Sequence, residues 1–383
     1  MSVASPEERL VAWALEEGFD RAAVTPLEPS DHAAALRDWL ARGHQAGMSW
    51  MERRGEARRD PRRLLAGARS ALCVALQYHP LAGAPEPDGD LWPRVARYAR
   101  GDDYHLLMEA GLDRLAERVE AAFPGSRSRR YVDTGPVLER ELAARAGLGA
   151  IGKNTNLLHP EGGSWFLLGE LLLTLELDGG SRFEDLCGSC TACLDACPTG
   201  ALPAPYVLDS RRCISYWTIE HRGAIPRSMR RHLAGWVFGC DICQEVCPVN
   251  EGAAAGGEAR LALPERRAAL DLAALAELAT DEYVERFRRS PMKRAKRGGL
   301  RRNAVLAMGY WAEPRYVAPL ARLLRRADDP VVRSHAAWAL GEIRAPEAEA
   351  SLRAGLAEET DESVLAEIRA ALGSALSGSR ESV

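Results

Sequence analysis

The residues best suited to chemistry are cysteines. The chain has nine, and eight of them fall between residues 187 and 247. They form a C-x2-C-x2-C-x3-C-P run and a later C-x2-C-x3-C-P run, with one isolated cysteine between them. Runs of this kind are typical of bacterial ferredoxins, in which the fourth cysteine of each run binds the other cluster. The sequence therefore predicts two [4Fe–4S] clusters.

The same exchange rule predicts which cysteines bind each cluster. The first set is Cys187, Cys190, Cys193 and Cys247, and the second is Cys197, Cys213, Cys240 and Cys243. Cys213 completes the second set because it is the only other cysteine nearby. A pair of zinc knuckles is the alternative, since C-x2-C pairs also bind zinc, but zinc does not account for the triple run. Cys73 lies in an apolar run and is expected to be a small buried side chain.

Asp133 is the leading candidate among the acids. It follows a strand-like run at 129–132 and precedes Thr-Gly-Pro. A carboxylate at a strand end is well placed to act as a catalytic acid, and equally well placed to cap the next helix. Its position alone does not decide between the two roles.

Two short motifs suggest cofactors but are weak. Gly147-x-Gly149-x-x-Gly152 has the dinucleotide-binding spacing, yet it follows a predicted helix rather than a strand. A helix end with Gly147 in the left-handed conformation is the simpler interpretation. The sequence Asp103-x-His105 approaches a corrinoid-binding signature but lacks its glycine. It therefore gives no support for a histidine-ligated corrinoid.

The segment 286–302 is strongly basic. It contains no acid and nine cations, namely Arg286, Arg288, Arg289, Lys293, Arg294, Lys296, Arg297, Arg301 and Arg302. Solvated helix faces usually alternate in sign, so a segment of one sign favours contact with the phosphates of a nucleic acid. Nearby aromatic residues could stack on bases, although core packing is the expected use of most of them: Tyr283, Phe287, Tyr310, Trp311 and Trp338.

The elements that must position these residues divide the chain into three predicted domains. Residues 1–180 alternate helical and strand-like patterns and predict an α/β domain. Residues 181–255 hold the cysteines, and 256–383 are helical. In that last part RNAVLAMG, SHAAWALG and EIRAALG recur at a fixed period, which predicts stacked HEAT-like helix pairs.

Composition narrows the cellular context. The net charge is −4 and the chain shows no secretory signal and no membrane span, so we expect a cytoplasmic protein. In that reducing compartment clustered cysteines indicate metal binding rather than disulfides. More than three hundred residues lie outside the cysteine-rich part, which favours an enzyme over a simple electron carrier.

Several stretches together resemble the epoxyqueuosine reductase family, which completes queuosine at the tRNA wobble position. The resemblance covers nearly the whole chain and is carried by RYA at 97–99 with DYH at 103–105, YVDTGP at 131–136, GAIGKN at 149–154, RRCISYWTIEH at 211–221 and FGCDICQEVCP at 238–248. The last two stretches are the most specific.

This resemblance implies a cobalamin-dependent reductase related to reductive dehalogenases. Its first domain would be a nitroreductase-like α/β fold that binds base-off cobalamin without a protein histidine, followed by the ferredoxin-like and HEAT-like domains. The clusters would reduce cobalt to Co(I), which attacks or reduces the epoxide, and an acid would protonate the alkoxide. Asp133 matches the family's proposed proton donor, and we expect an apolar pocket to raise its pKa.

Other residues are assigned by the resemblance more weakly. Those expected to border the cofactor or substrate are Arg58, Tyr98, His105, Lys153 and Asn154, together with Asp133. The expected contacts to tRNA carrying epoxyqueuosine are Lys293, Arg294, Lys296, Arg297 and Arg301. We also expect a monomer served by an unidentified low-potential electron donor. The alternatives are a corrinoid reductive dehalogenase acting on a small molecule and a non-enzymatic electron carrier.

Overall fold

In the computed structural model, which describes residues 4–378, the chain divides into two compact units. Unit 1 takes the described residues of Met1–Pro85, Gly101–Arg211 and Asp241–Ala262; unit 2 takes those of Glu86–Arg100, Arg212–Cys240 and Leu263–Val383. The cysteine-rich segment contributes to both units. The domain boundaries predicted at residues 180 and 255 divide the chain differently from these two units, and they remain a prediction.

Unit 1 is built around a four-stranded antiparallel sheet. Its strands are β1 (Arg21–Pro26), β2 (Ser70–Gln77), β3 (Ser128–Tyr131) and β6 (Phe166–Leu173), in the order β1-β2-β6-β3. A small ladder joins β4 (Ala150–Ile151) to β5 (Leu157–Leu158). The helices are α1 (Pro6–Glu16), α2 (Ala33–Ala41), α3 (Gly55–Arg59), α4 (Tyr104–Ala122), α5 (Glu139–Ala146), α6 (Ala192–Asp195) and α8 (Ile242–Glu245).

Helices cover both faces of this sheet. One face packs against α1 and α4, and Gly169 of β6 lies under Leu112 and Met108 of α4. The other face packs against α5 in an apolar core that includes Leu142 and Ala146. Because both faces are covered, β2 is buried along its whole length, as its continuous apolar sequence indicates.

The predicted alternation of helices and strands in this part of the chain is confirmed, but strand β1 was not predicted and the strand expected at 164–177 is shorter, at Phe166–Leu173. Asp103 caps α4 by accepting a hydrogen bond from the backbone of His105. Gly147 ends α5 in the left-handed conformation, as expected from the glycine pattern. Cys73 is fully buried in β2. The helix predicted before Gly147 begins at Glu139.

Unit 2 is helical. Its α-helices are α7 (Arg227–Arg230), α9 (Glu265–Ala268), α10 (Leu272–Glu277), α11 (Thr280–Phe287), α12 (Lys296–Trp311), α13 (Val317–Arg326), α14 (Pro330–Ile343), α15 (Pro346–Glu358) and α16 (Glu362–Gly378), and Tyr216–Glu220 forms a π-helical turn. The chain also has 3₁₀ turns at Ser49–Met51, Pro61–Leu64, Trp92–Arg94, Arg97–Ala99, Arg231–Leu233, Pro248–Asn250, Ala259–Leu261, Pro291–Ala295 and Pro314–Tyr316.

The predicted repeat corresponds to stacked helices. The contacts between α12 and α14, and between α14 and α16, form one continuous layer, with α13 and α15 packed beside it. A Cβ at Gly309 would lie 2.6 Å from Trp338, and one at Gly341 would lie 2.8 Å from Ala371, so both glycines permit close helix packing. Among residues 4–378 no helix is both long and apolar enough to span a membrane.

Candidate active site

A hydrogen-bonded group of polar residues lies in unit 1 where β3 ends and α4 begins. His105 Nδ1 lies 2.8 Å from Asp103 Oδ1, and His105 Nε2 lies 3.3 Å from Asp133 Oδ2. The Tyr104 hydroxyl donates to the same Asp133 oxygen at 3.0 Å. The Tyr104 and His105 rings stack with centroids 4.1 Å apart, which fixes both side chains toward Asp133.

The two carboxylates hold His105 in its charged form. Burial opposes that charge, but hydrogen bonds from His105 to Asp103 and Asp133 outweigh the burial and raise the pKa of His105 to about 9. Asp103 is almost completely buried, whereas the Asp133 side chain is 60 % exposed. The imidazolium therefore presents one proton at a carboxylate that solvent or a substrate can reach.

The expectation of a raised pKa at Asp133 is wrong. Burial acts to raise it, but the hydrogen bond and charge of His105, with the Tyr104 hydroxyl, lower the pKa of Asp133 below its ordinary range. Asp133 is thus ionised at neutral pH and shares the His105 proton. It does not cap the following helix, whose N-cap position is Leu138.

The backbone of the Asp133 loop is constrained. Asp133 has a φ of +53°, in the left-handed region that only a few residue types tolerate. Its N–H donates to the Glu139 carboxylate at the start of α5. A Cβ at Gly135 would lie 2.2 Å from the Tyr131 ring, so the YVDTGP stretch requires glycine there. These contacts aim the Asp133 carboxylate at His105.

Two acids beside this loop were not predicted, the half-buried Glu139 and the buried Glu170. Burial and the charge of Asp133 raise the pKa of Glu139 to about 8. Glu170, in the middle of β6, is fully buried, and burial and the charge of Glu139 raise its pKa well above the ordinary value. The signal for Glu170 was a carboxylate at a core-facing position of the apolar run FLLGELLL.

The cysteines predicted for the first cluster come together in unit 1. Cys187, Cys190, Cys193 and Cys247 all line one cavity of about 80 Å³. Burial and the nearby thiols of Cys187, Cys247 and Cys190 raise the pKa of Cys193, as expected for converging sulfurs. Within residues 4–378 no three His, Cys, Asp or Glu side chains converge closely enough to hold a single ion. The donor set fits a cubane cluster, in which each thiolate binds a different iron.

The second predicted set is divided between the units. Cys197 and Cys243 belong to unit 1, and Cys213 and Cys240 to unit 2. The Sγ atom of Cys197 accepts a hydrogen bond from the Ala201 backbone at 3.3 Å.

Lys153 and Asn154 belong to the cysteine loops. Lys153 Nζ donates to the carbonyls of Gly188 and Cys190, at 2.7 and 2.9 Å, and its N–H lies 3.4 Å from the Cys187 sulfur. Asn154 donates to the Cys243 carbonyl at 3.2 Å. Both residues therefore bond to the cysteine loops of the predicted cluster sites. They were expected to border the cofactor or substrate, and these contacts do not test that expectation.

The remaining two residues expected to border the cofactor have structural contacts. Arg58 is buried and donates to the Arg53 carbonyl at 2.5 Å, and burial lowers its pKa. Tyr98 lies in unit 2, where its ring is 6.3 Å from that of Phe238. Neither of these contacts tests the expected role of its residue.

The basic segment is less exposed than expected. Arg301 and Arg302 are buried, and Arg301 bonds to the Ala276 carbonyl and to Asp328, so its assignment as a tRNA contact is wrong. Asp328 also pairs with the partly buried Arg297, and Glu220 pairs with Arg294. The exposed cations are Arg288, Arg289, Lys293, Arg294 and Lys296. Acids from elsewhere in unit 2 therefore neutralise part of the segment.

Comparison with known proteins finds families that match three parts of the chain. The family described as "Epoxyqueuosine reductase QueG, DUF1730" matches residues 58–134, a "4Fe-4S double cluster binding domain" matches 186–250, and "HEAT repeats" match 292–373. An epoxyqueuosine reductase from Xanthomonas campestris pv. campestris is 41 % identical over 347 residues, covering 87 % of this chain and 95 % of that one. The chain belongs to the epoxyqueuosine reductase family.

Other members of the epoxyqueuosine reductase family agree. The enzyme from Gloeobacter violaceus is 43 % identical over 299 residues, which are 76 % of this chain and 92 % of that one. A solved structure from Bacillus subtilis, described with an aspartate catalytic loop swung out of the active site, has a TM-score of 0.87 at 30 % identity and covers 96 % of this chain and 98 % of its own.

A third relative is a solved epoxyqueuosine reductase with an epoxyqueuosine-modified tRNA-Tyr stem loop. Its TM-score is 0.88 at 31 % identity, and the match covers 96 % of this chain and 98 % of that one. The chain is therefore an oxidoreductase of this family with a double-cluster domain and HEAT repeats. The matches favour this interpretation over a dehalogenase or an electron carrier.

Proposed function

We propose that the chain reduces epoxyqueuosine to queuosine at the wobble position of tRNA in the cytoplasm. The observation that carries the proposal is the relative bound to an epoxyqueuosine-modified stem loop, whose fold this chain matches over nearly its whole length. The Asp103–His105–Asp133 group supplies what this reaction needs from the protein, a proton held beside an exposed carboxylate.

The proposed cofactors are two [4Fe–4S] clusters and cobalamin. Cys187, Cys190, Cys193 and Cys247 would hold one cluster, and Cys197, Cys213, Cys240 and Cys243 the other. Both ring nitrogens of His105 are engaged by carboxylates, so this histidine is not available to cobalt, which suits cobalamin bound without a histidine ligand. When bound, the clusters and cobalamin would supply the electrons that break the carbon–oxygen bond.

The protein's own contribution is proton delivery. Removing the epoxide oxygen as water, with formation of an alkene, consumes two electrons and two protons. The opening carbon–oxygen bond leaves an alkoxide, a much stronger base than a carboxylate, so an adjacent proton donor lowers the barrier. His105 holds a proton at Asp133 Oδ2, and Asp133 would pass it to that oxygen.

The exposed part of the basic segment is the proposed tRNA contact. Lys293 and Lys296 are exposed, and Arg294 keeps half of its side chain accessible while paired with Glu220. Cations that reach the phosphate backbone add affinity without reading base sequence. Arg301 has no part in this contact because it is buried.

A conversion assay tests the proposal. Anaerobically purified protein, reconstituted with iron, sulfide and cobalamin, would be reduced and mixed with a stem loop carrying epoxyqueuosine, and the nucleosides separated after digestion. We expect queuosine to form only when cobalamin is present. Formation without cobalamin, or no formation by fully loaded protein that dehalogenates a halogenated phenol, would contradict it.

A further inference from the structure

The centre of β6 carries an acid inside the apolar core. Glu170 is fully buried, and its neighbours on the same face, Leu168 and Leu172, pack in the core that α5 covers. Among the residues that the structure describes, no N–H or hydroxyl group donates to the carboxyl oxygens of Glu170, and the Glu139 carboxyl is its hydrogen-bonding neighbour. An isolated ionised carboxylate in such a place is very unfavourable, so this group must hold or share a proton.

Glu139 provides the neighbouring carboxyl group. It begins α5, accepts the Asp133 N–H, and lies close enough to Glu170 for the charge of each to act on the other. The other groups that face this pair are Asp133, His105, Arg140, the Cys73 thiol and Tyr131, which pairs with Glu170 across the sheet. Two neighbouring carboxyls in a buried site do not both ionise at neutral pH, because like charges repel and burial disfavours each of them.

The proposed reaction requires more protons than His105 and Asp133 hold. This step rests on the proposed function, in which one oxygen leaves as water and takes up two protons and two electrons. His105 and Asp133 have one proton between them. A second proton must arrive when the hydroxyl formed from the opened epoxide departs.

We infer that Glu139 and Glu170 share one proton behind the Asp133 loop and supply it, through Asp133, as the second proton of the reaction. The first proton passes from His105 through Asp133 to the alkoxide. The second leaves the glutamate pair, completes the departing water, and is replaced from solvent after product release. Neither glutamate touches the substrate, so both are positioning residues.

Conservative variants separate proton supply from loop support. Glu139→Gln keeps an oxygen that can accept the Asp133 N–H but removes the titratable proton, and Glu170→Gln does the same inside the core. We expect single-turnover conversion to fall at least about tenfold in each, since proton transfer contributes factors of about a hundred or more. The matched control is Glu176→Gln, whose side chain is 78 % exposed.

The pH profile distinguishes this role from a structural one. The wild-type single-turnover rate should decline above about pH 8, where the shared proton is lost. In Glu139→Gln the decline should move up to about pH 9, where His105 loses the first proton, and Glu176→Gln should keep the wild-type profile. If Glu139→Gln and Glu170→Gln both showed the wild-type rate and the wild-type dependence of rate on pH, the inference would be overturned.

Infrared spectroscopy gives a readout that does not depend on turnover. The full-length protein, before cobalamin is added, should show the carbonyl stretch of a protonated carboxyl at pH 7. The band should disappear at alkaline pH and in the double variant Glu139→Gln and Glu170→Gln, and it should shift in each single variant. A wild-type protein without that band would overturn the inference even if it converts its substrate. A wild-type protein with the band but no conversion would reject only the proposed function.

Discussion

The imidazole Nε2 of His105 lies 3.3 Å from Oδ2 of Asp133. This contact joins the end of β3 to the first turn of α4 and makes an exposed aspartate the outer end of a charged chain that begins at the buried Asp103. The same contact makes the protonation state of Asp133 the opposite of the one expected from the sequence. The residue is an ionised carboxylate that shares a donor's proton, and an apolar pocket does not keep it neutral.

Replacing Asp133 by Asn should remove most activity. The amide cannot pass a proton to the alkoxide, so we expect conversion of the stem loop to fall by a factor of about a hundred or more. Iron content should be unchanged, and thermal unfolding should change only by the loss of the charged contact with His105, because the Asp133 side chain is largely exposed. Asp88→Asn, at another exposed position, is the control. Full activity of Asp133→Asn would exclude its role in proton transfer.

The contact between His105 and Asp133 should stabilise the fold over a defined pH range. The raised pKa of His105 contributes fully below about pH 6.5 and is lost as pH rises through about 9, and the lowered pKa of Asp133 contributes above about pH 4. His105→Gln should therefore lower the free energy of unfolding most between about pH 4 and 6.5, and the difference should shrink as the pH rises toward 9. Urea titrations at several pH values measure this. A pH-independent difference would contradict it, and His232→Gln, at an exposed position, is the control variant.

The cluster ligands can be checked by iron analysis. Cys247→Ser removes one thiolate from the first predicted set, and we expect reconstituted protein to lose about half of its iron and sulfide. Cys73→Ala changes a buried cysteine of β2 and should leave both contents unchanged. Unchanged iron in Cys247→Ser would show that the fourth ligand has been assigned to the wrong cysteine.

The tRNA contact should respond to charge at exposed positions only. The double variant Lys293→Ala and Lys296→Ala should weaken stem-loop binding and reduce the slope of log affinity against log salt, by about 0.7 to 0.9 for each phosphate that the variant no longer neutralises. Arg353→Ala, at an exposed position of α15, is the control. An unchanged salt dependence in the double variant would place the tRNA contact elsewhere.

Arg302 should matter for stability rather than for RNA. Its guanidinium donates to the carbonyls of Trp217, His221 and Gly223, and burial lowers its pKa to about 10. Arg302→Met would leave these acceptors unsatisfied and cost about 3 kcal/mol or more in the free energy of unfolding. Arg326→Met, at an exposed position of α13, should cost little. Chemical denaturation compares them, and equal costs would refute the structural role.

Local patterns predicted much of this molecule. The apolar strand that holds Cys73, the left-handed helix end at Gly147 and the period that ends at Gly309 and Gly341 each report a short-range requirement of strand, helix or helix stacking. The cysteine spacing likewise predicted the four thiols that line one cavity, because cluster geometry limits which spacings can work.

The errors came from contacts between distant parts of the sequence. Arg301 was predicted to contact tRNA because its partner, Asp328, lies outside the helix that contains Arg301. The pKa of Asp133 depends on His105, which α4 brings to it from 28 positions earlier. Glu170 looked like an interruption in an apolar run, and only the sheet register, which places it between Cys73 and Tyr131, shows it to be buried.

The most direct test of the account is the mass of the wobble nucleoside after a single turnover. Reduced protein loaded with both clusters and cobalamin should convert epoxyqueuosine in the stem loop to a product lighter by one oxygen atom, and Asp133→Asn with the same cofactor content should not. Unchanged nucleoside with the wild-type protein, or equal conversion by both proteins, would contradict it.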